Sequence, residues 1–133
     1  MKIILIVSTL FFSTSVFGQQ LYLYSSDNNQ YLGCLNCSEF SSESICNEFG
    51  TYGSEFNSES IWNDFGTYGS EFSSYSPWNE FSSQGPKIVN SEGNYYGRFS
   101  INTFSGFENS EELKNLYDIC DGKLEKVRNL FCE

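Results

Sequence analysis

The amino-acid sequence predicts an α+β fold: a small antiparallel sheet from two β-hairpins flanking a run of 16-residue repeats of short helical turns, with a C-terminal amphipathic helix. Three observations predict it. One unit recurs as Ser44-Ile-Cys-Asn-Glu-Phe-Gly-Thr-Tyr-Gly-Ser-Glu-Phe56, as Ser60-Ile-Trp-Asn-Asp-Phe-Gly-Thr-Tyr-Gly-Ser-Glu-Phe72 and, decaying, as Ser76-Pro-Trp-Asn-Glu-Phe81. The segments on either side of this run resemble each other and carry hairpin patterning. Residues 109–132 place apolar side chains at helical spacing. Repetition at a fixed period marks a duplicated supersecondary unit and speaks about architecture more than chemistry.

Residues 1–18 read as a secretory signal peptide. Lys2 precedes an apolar run from Ile3 to Phe12, and small residues around Ser15 and Gly18 form a cleavage site ahead of Gln19. The run is too short to span a bilayer, and no later stretch is longer. A single secreted domain, 19–133, is expected after cleavage: an N-terminal hairpin (19–38), the repeats (39–86), a second hairpin (87–102) and the helix (109–132). Secreted or periplasmic localisation follows from the leader, and no membrane span is expected.

The segments Leu21 to Leu35 and Lys87 to Ile101 each run aromatic or β-branched, then turn-forming, then aromatic again, and both read as β-hairpins. Gly33 and Gly97 stand where a strand glycine signals a bulge or a close neighbour. An isolated hairpin is marginal in water, so the two are expected to join in one sheet of about four strands.

Within the repeats, Ser44, Ser60 and Ser76 occupy the place of an N-cap, and Pro77 the first helical position after it. Glu48, Asp64 and Glu80 suit the positive end of a short helix, and Gly50 and Gly66 a left-handed cap. Helices this short need Phe49, Phe65, Phe81, Trp62 and Trp78 packed on one another or on the sheet. A 16-residue β-solenoid coil is the competing reading. The tail has a capping-box pair, Asn109 and Glu112, and an apolar stripe of Leu113, Leu116, Tyr117, Cys120, Leu124, Val127 and Phe131. Gly122 weakens it, so one helix or two meeting at Asp121-Gly122 are both open.

Five cysteines in an exported chain point to two disulfides and one free thiol. Cys34-Leu-Asn-Cys37 has the spacing of a redox pair or half a zinc site, but lacks the strand-turn-helix context of a thioredoxin motif, which favours a structural bridge. A continuous helix would hold Cys120 and Cys132 about 18 Å apart, too far to pair. The disulfide candidates are therefore Cys34, Cys37, Cys46 and Cys120, with Cys132 spare. Cys46 fills the slot held by Trp62 and Trp78 in the later units.

The Leu32-Gly-Cys-Leu-Asn-Cys37 segment, the Ser-Ile-Trp-Asn-Asp-Phe-Gly-Thr-Tyr-Gly-Ser unit, Ser76-Pro-Trp-Asn79 and Gly93-Asn-Tyr-Tyr-Gly97 resemble a group of uncharacterised short secreted bacterial proteins. The resemblance covers residues 20–102. It implies the repeat architecture and brings no activity with it.

Charge and composition remove several functions. Loss of Lys2 with the leader leaves six cations against seventeen anions, and no Lys or Arg occurs from Ile3 to Pro86 while nine acids lie in residues 19–86. Such a field repels phosphate, so nucleic acid is not an expected partner. Histidine is absent, which removes His-based nucleophile systems and His-ligated metals. Carboxylate pairs could serve glycoside hydrolysis, but their periodicity reads as a solvated face. Asn47-Glu48, Asn63-Asp64 and Asn79-Glu80 set oxygens at a constant interval suited to calcium, although no Asp-x-Asp-x-Asp-Gly loop is present. No catalytic residue, metal site or cofactor is expected. The reading is an exported non-enzymatic binding module for a glycan or peptide ligand outside the cytoplasm, with Tyr52, Trp62, Tyr68 and Trp78 as ring platforms; the alternatives are a structural, self-associating repeat scaffold and a calcium-binding protein.

Overall fold

The computed structural model describes residues 19–133; the signal peptide expected at residues 1–18 lies outside them. Four strands, β1 (Leu21–Tyr24), β2 (Tyr31–Cys34), β3 (Lys87–Asn90) and β4 (Tyr95–Arg98), form one antiparallel sheet in the order β2-β1-β3-β4. Both expected hairpins are present, and they join through β1 and β3, with Leu21 opposite Asn90 and Tyr24 opposite Lys87. Strand β1 alternates buried Leu21 and Leu23 with half-exposed Tyr22 and Tyr24, the pattern of a sheet with one face on the core. Register slips in both hairpins beside Gly33 and Gly97, which have φ of 110° and 103°. A side chain at Gly33 would start 2.6 Å from the Cβ of Tyr52, so both a bulge and a close neighbour hold this glycine.

Between the hairpins the expected helical turns do not form. Residues 35–86 contain no helix and no strand, only overlapping turns and an isolated bridge between Cys34 and Ser44. Gly50 and Gly66 are not among the positive-φ glycines, so they are not left-handed caps. The reason is the side chain placed at every third position. In the unit beginning at Ser54, the side-chain oxygens of Ser54, Asn57, Ser60 and Asn63 accept from the backbone N–H groups of Phe56, Glu59, Trp62 and Phe65 at 2.8 to 3.0 Å. The same four bonds start from Ser38, Ser41, Ser44 and Asn47, and again from Ser70, Ser73, Ser76 and Asn79. Ser and Asn compete in this way with the helical ladder and stop each turn after one residue triplet. Ser76 thus caps Trp78, as its N-cap reading required, but within a turn.

The asparagines close the units in a second way. Asn47, Asn63 and Asn79 each donate from Nδ2 to a carbonyl six residues earlier, on Ser41, Asn57 and Ser73. Gly53 and Gly69 return the chain against these asparagines: a Cβ there would lie 2.1 and 2.0 Å from the carbonyl oxygens of Asn47 and Asn63. Only glycine allows that approach. A fragment of the unit also recurs beyond the second hairpin, where Ser100 caps Asn102, Asn102 caps Phe104, and Asn102 donates to Ser82.

Adjacent units are tied through the core. Trp62 Nε1 donates to the Ile45 carbonyl and Trp78 Nε1 to the Ile61 carbonyl, both at 2.7 Å. The backbone N–H of Ile101 makes the equivalent bond to Pro77. The indoles stack at 5.5 Å, and Phe99, Phe131 and Tyr117 continue the aromatic cluster. Truncation of a buried Trp costs about 3 to 5 kcal/mol, a large fraction of a small domain's stability, so these rings are structural.

The tail is two helices, α1 (Ser110–Ile119) and α2 (Leu124–Phe131), which meet where Asp121 and Gly122 take φ of 55° and 69°. Asn109 stands at the start of α1 but makes no side-chain cap bond, so the expected capping box is absent. Leu113, Leu116, Cys120, Leu124, Val127 and Phe131 are buried as the stripe predicted, and Tyr117 packs at the edge.

The helix break corrects the disulfide reading. Cys34 pairs with Cys37, and Cys46 pairs with Cys132; Cys120, not Cys132, is free and buried. The turn at Asp121-Gly122 redirects α2 so that its end reaches the first repeat, with Cα atoms 5.6 Å apart. Burial pushes the Cys120 thiol above its ordinary pKa, which suppresses the reactive thiolate. Ellman titration of the mature protein should find no fast thiol in the native state and one after unfolding; a fast native thiol would contradict the placement of Cys120.

Candidate functional site

The four ring platforms expected from the sequence do not form one surface. Trp62 and Trp78 are 1% and 2% exposed and Tyr68 is 8% exposed, which leaves no ring face for a sugar to stack on. The two tryptophans follow the buried Ser60 and Ser76 by two residues, and that position of the unit points into the core. Tyr52 is half-buried, edge-on to Tyr31 at 5.0 Å. Tyr68 hydrogen-bonds the Asp27 carboxylate at 3.3 Å, and Tyr31 donates to Glu43 at 2.5 Å. Burial, with nearby carboxylates, pushes the phenols of Tyr31, Tyr52 and Tyr68 up.

The exposed rings are others. Phe49, Phe65 and Phe81, expected in the core, are 91%, 95% and 87% exposed, and Phe40, Phe56 and Phe72 are 86%, 84% and 85% exposed. Each is the residue two beyond a Ser or Asn that caps its backbone N–H, so the turn itself aims the ring outward. Two columns result in sequence, Phe40, Phe56, Phe72 and Phe49, Phe65, Phe81, each stepping by one unit of 16. An acid precedes every one of these rings: Glu39, Glu48, Glu55, Asp64, Glu71 and Glu80. Single exposed apolar residues are ordinary; here six recur at equivalent turn positions.

The tail helices lie across this face. Arg128, 4% exposed, donates to the Gly53 carbonyl at 3.0 Å and pairs with Glu48 at 3.1 Å. Lys114 bridges Glu80 and Asp118, and Tyr117 donates to Glu71. Three open depressions remain beside the helices. The largest, about 590 Å³, is lined by Phe40, Phe49, Glu39, Glu48 and Arg128; one of about 490 Å³ by Phe72, Phe81, Glu71, Glu80 and Lys114; and one of about 290 Å³ by Phe65, Phe72, Asp64, Glu71 and Asp121. Phenyl rings and an excess of carboxylates are common to all three.

The asparagines of the calcium reading are committed elsewhere: Asn47, Asn63 and Asn79 use Oδ1 and Nδ2 on the chain's own backbone. Among the described residues no group of three or more Cys, Asp or Glu is placed to hold a metal ion, and no helix is long and apolar enough to cross a membrane. Comparison with family models, curated proteins and solved structures finds no match to this chain. The signal that could have found the exposed columns was the dipeptide of acid and Phe, six times over, always two residues after a Ser or Asn.

Burial and then the Glu71 carboxylate push the Tyr117 phenol up to about 12 from its ordinary 10. The unfolded chain therefore loses that proton first: the contribution of Tyr117 is complete below pH 10 and is lost as pH rises toward 12. Chemical denaturation between pH 9.5 and 11.5 should show a shallower loss of stability for Tyr117→Phe than for the wild type, and equal slopes would contradict the assignment.

Proposed function

We propose that this chain is an exported, non-enzymatic binding module that takes an extracellular or periplasmic glycan or peptide on its two columns of exposed phenylalanines. The leader at 1–18 supports export, and two disulfides with no apolar spanning helix among the described residues are compatible with it. The observation that carries the reading is the outward placement of six rings at equivalent positions of three units. Large contiguous apolar surface left in water marks a site of interaction.

Magnitudes narrow the ligand. Burial of one phenyl ring contributes about 1.5 to 3 kcal/mol, whereas association of two molecules costs about 4 to 15 kcal/mol. One ring cannot offset that cost, and two reach only its low end. The ligand has to span several rings, as a polymer or a peptide segment does and a monosaccharide does not. The self-associating scaffold is the second reading, and the same rings favour it; the facing carboxylates of a second copy oppose it.

An array of bacterial cell-wall polysaccharides and peptides, probed with residues 19–133, tests the proposal. Phe40→Ser/Phe56→Ser/Phe72→Ser should reduce binding to retained probes by about tenfold or more while leaving the melting temperature nearly unchanged, because the rings contribute no core packing. Retained binding in the triple variant would refute the phenyl surface.

A further inference from the structure

We infer that the acid and phenyl columns recognise a cationic, apolar polypeptide segment, an inference that rests on the binding surface proposed above and specifies its ligand. Every ring of the two columns follows a carboxylate, and only Glu48 and Glu80 of the six pair with a cation among the described residues, so an occupant that buries the rings also covers anions. A neutral sugar chain would desolvate those carboxylates without a countercharge, which is costly. An anionic glycan or lipid surface would be repelled, and a second copy laid face to face would oppose acid to acid. A segment carrying both Lys or Arg and apolar side chains satisfies both halves of the surface, and a cation beside a phenyl face gains further from the ring.

The molecule's own tail shows the electrostatic half of this mode. Arg128 places one guanidinium nitrogen on the Glu48 carboxylate at 3.1 Å and another on the Gly53 carbonyl at 3.0 Å, in the depression that Phe49 also lines. Lys114 meets Glu80 at 3.1 Å in the depression walled by Phe72 and Phe81. These two contacts occupy only part of the series. Glu39, Glu55 and Asp64, which precede Phe40, Phe56 and Phe65, form no ion pair among the described residues. They are the open positions for a partner's cations, and no cation of residues 19–86 competes for them.

The test uses a labelled peptide of about twelve residues repeating Lys-Lys-Leu-Leu, which sets Lys and Leu alternately on each face of an extended chain. Peptides with Ser replacing the lysines or the leucines serve as controls. Fluorescence anisotropy with the mature protein should show the Lys/Leu peptide bound at least about tenfold tighter than either control. Its affinity should fall as sodium chloride rises from about 0.05 to 0.3 M. Glu39→Gln/Glu55→Gln/Asp64→Asn should weaken it about tenfold, as should Phe40→Ser/Phe56→Ser/Phe72→Ser. Absence of binding, or binding indifferent to the acid variant, overturns the inference. A neutral polysaccharide, a zwitterionic vesicle or a second copy bound through the phenylalanines but not the acids also overturns it, yet leaves the phenyl surface standing. Peptide binding indifferent to the phenylalanine variant removes both.

Discussion

The rest of the structure depends on one local interaction: a Ser or Asn side chain accepting a hydrogen bond from the backbone N–H two residues on. It recurs four times in each unit, at successive triplets. A chain of such turns fixes where each side chain points. The triplet that begins at Ser44, Ser60 or Ser76 sends Cys46, Trp62 or Trp78 inward; the triplets that begin at Asn47, Asn63 and Asn79 send Phe49, Phe65 and Phe81 outward. Core and surface are thus alternate outputs of the same turn, and residue type alone does not decide between them.

Stacking of the units then rests on the indoles. Each Trp bonds the carbonyl of the preceding unit's Ile, and the Cys46–Cys132 bridge takes the end of this column, where no preceding unit exists to receive an indole. In the chain-entropy view, a bridge across 86 positions removes more freedom from the unfolded chain than the bridge from Cys34 to Cys37. Arg128 reinforces the same junction on the acidic face. The tail is therefore both the lid of the aromatic cluster and the source of the cations that offset part of the acidic columns.

The sheet and the apolar stripe of the tail were legible in the sequence because each is a direct consequence of periodicity: β-branched and aromatic runs around turn formers in one case, helical spacing in the other. The repeat interior was not. A helix N-cap and a side-chain-capped turn use the same bond from Ser to a backbone N–H, so Ser44-Ile-Cys-Asn or Ser76-Pro-Trp-Asn reads equally well as either. What separates them is the next competitor, Asn47 or Asn79, three residues later. The outward phenylalanines were hidden by their own hydrophobicity, which argues for the core wherever geometry is unknown. The disulfide partner of Cys46 depended on whether the tail breaks at Asp121-Gly122, and that is settled by packing against the repeats.

Amide hydrogen exchange of residues 19–133 reads the capped turns themselves. The N–H groups of Phe49, Phe65 and Phe81 belong to side chains standing in water, yet each donates to an asparagine at 3.0 Å. Exchange should be slow at all three, well below the rate of the unfolded chain, alongside protected Trp62 and Trp78 amides. Exchange of the three phenylalanine amides at unfolded-chain rates would contradict this, because the asparagine caps would then not hold that column in place.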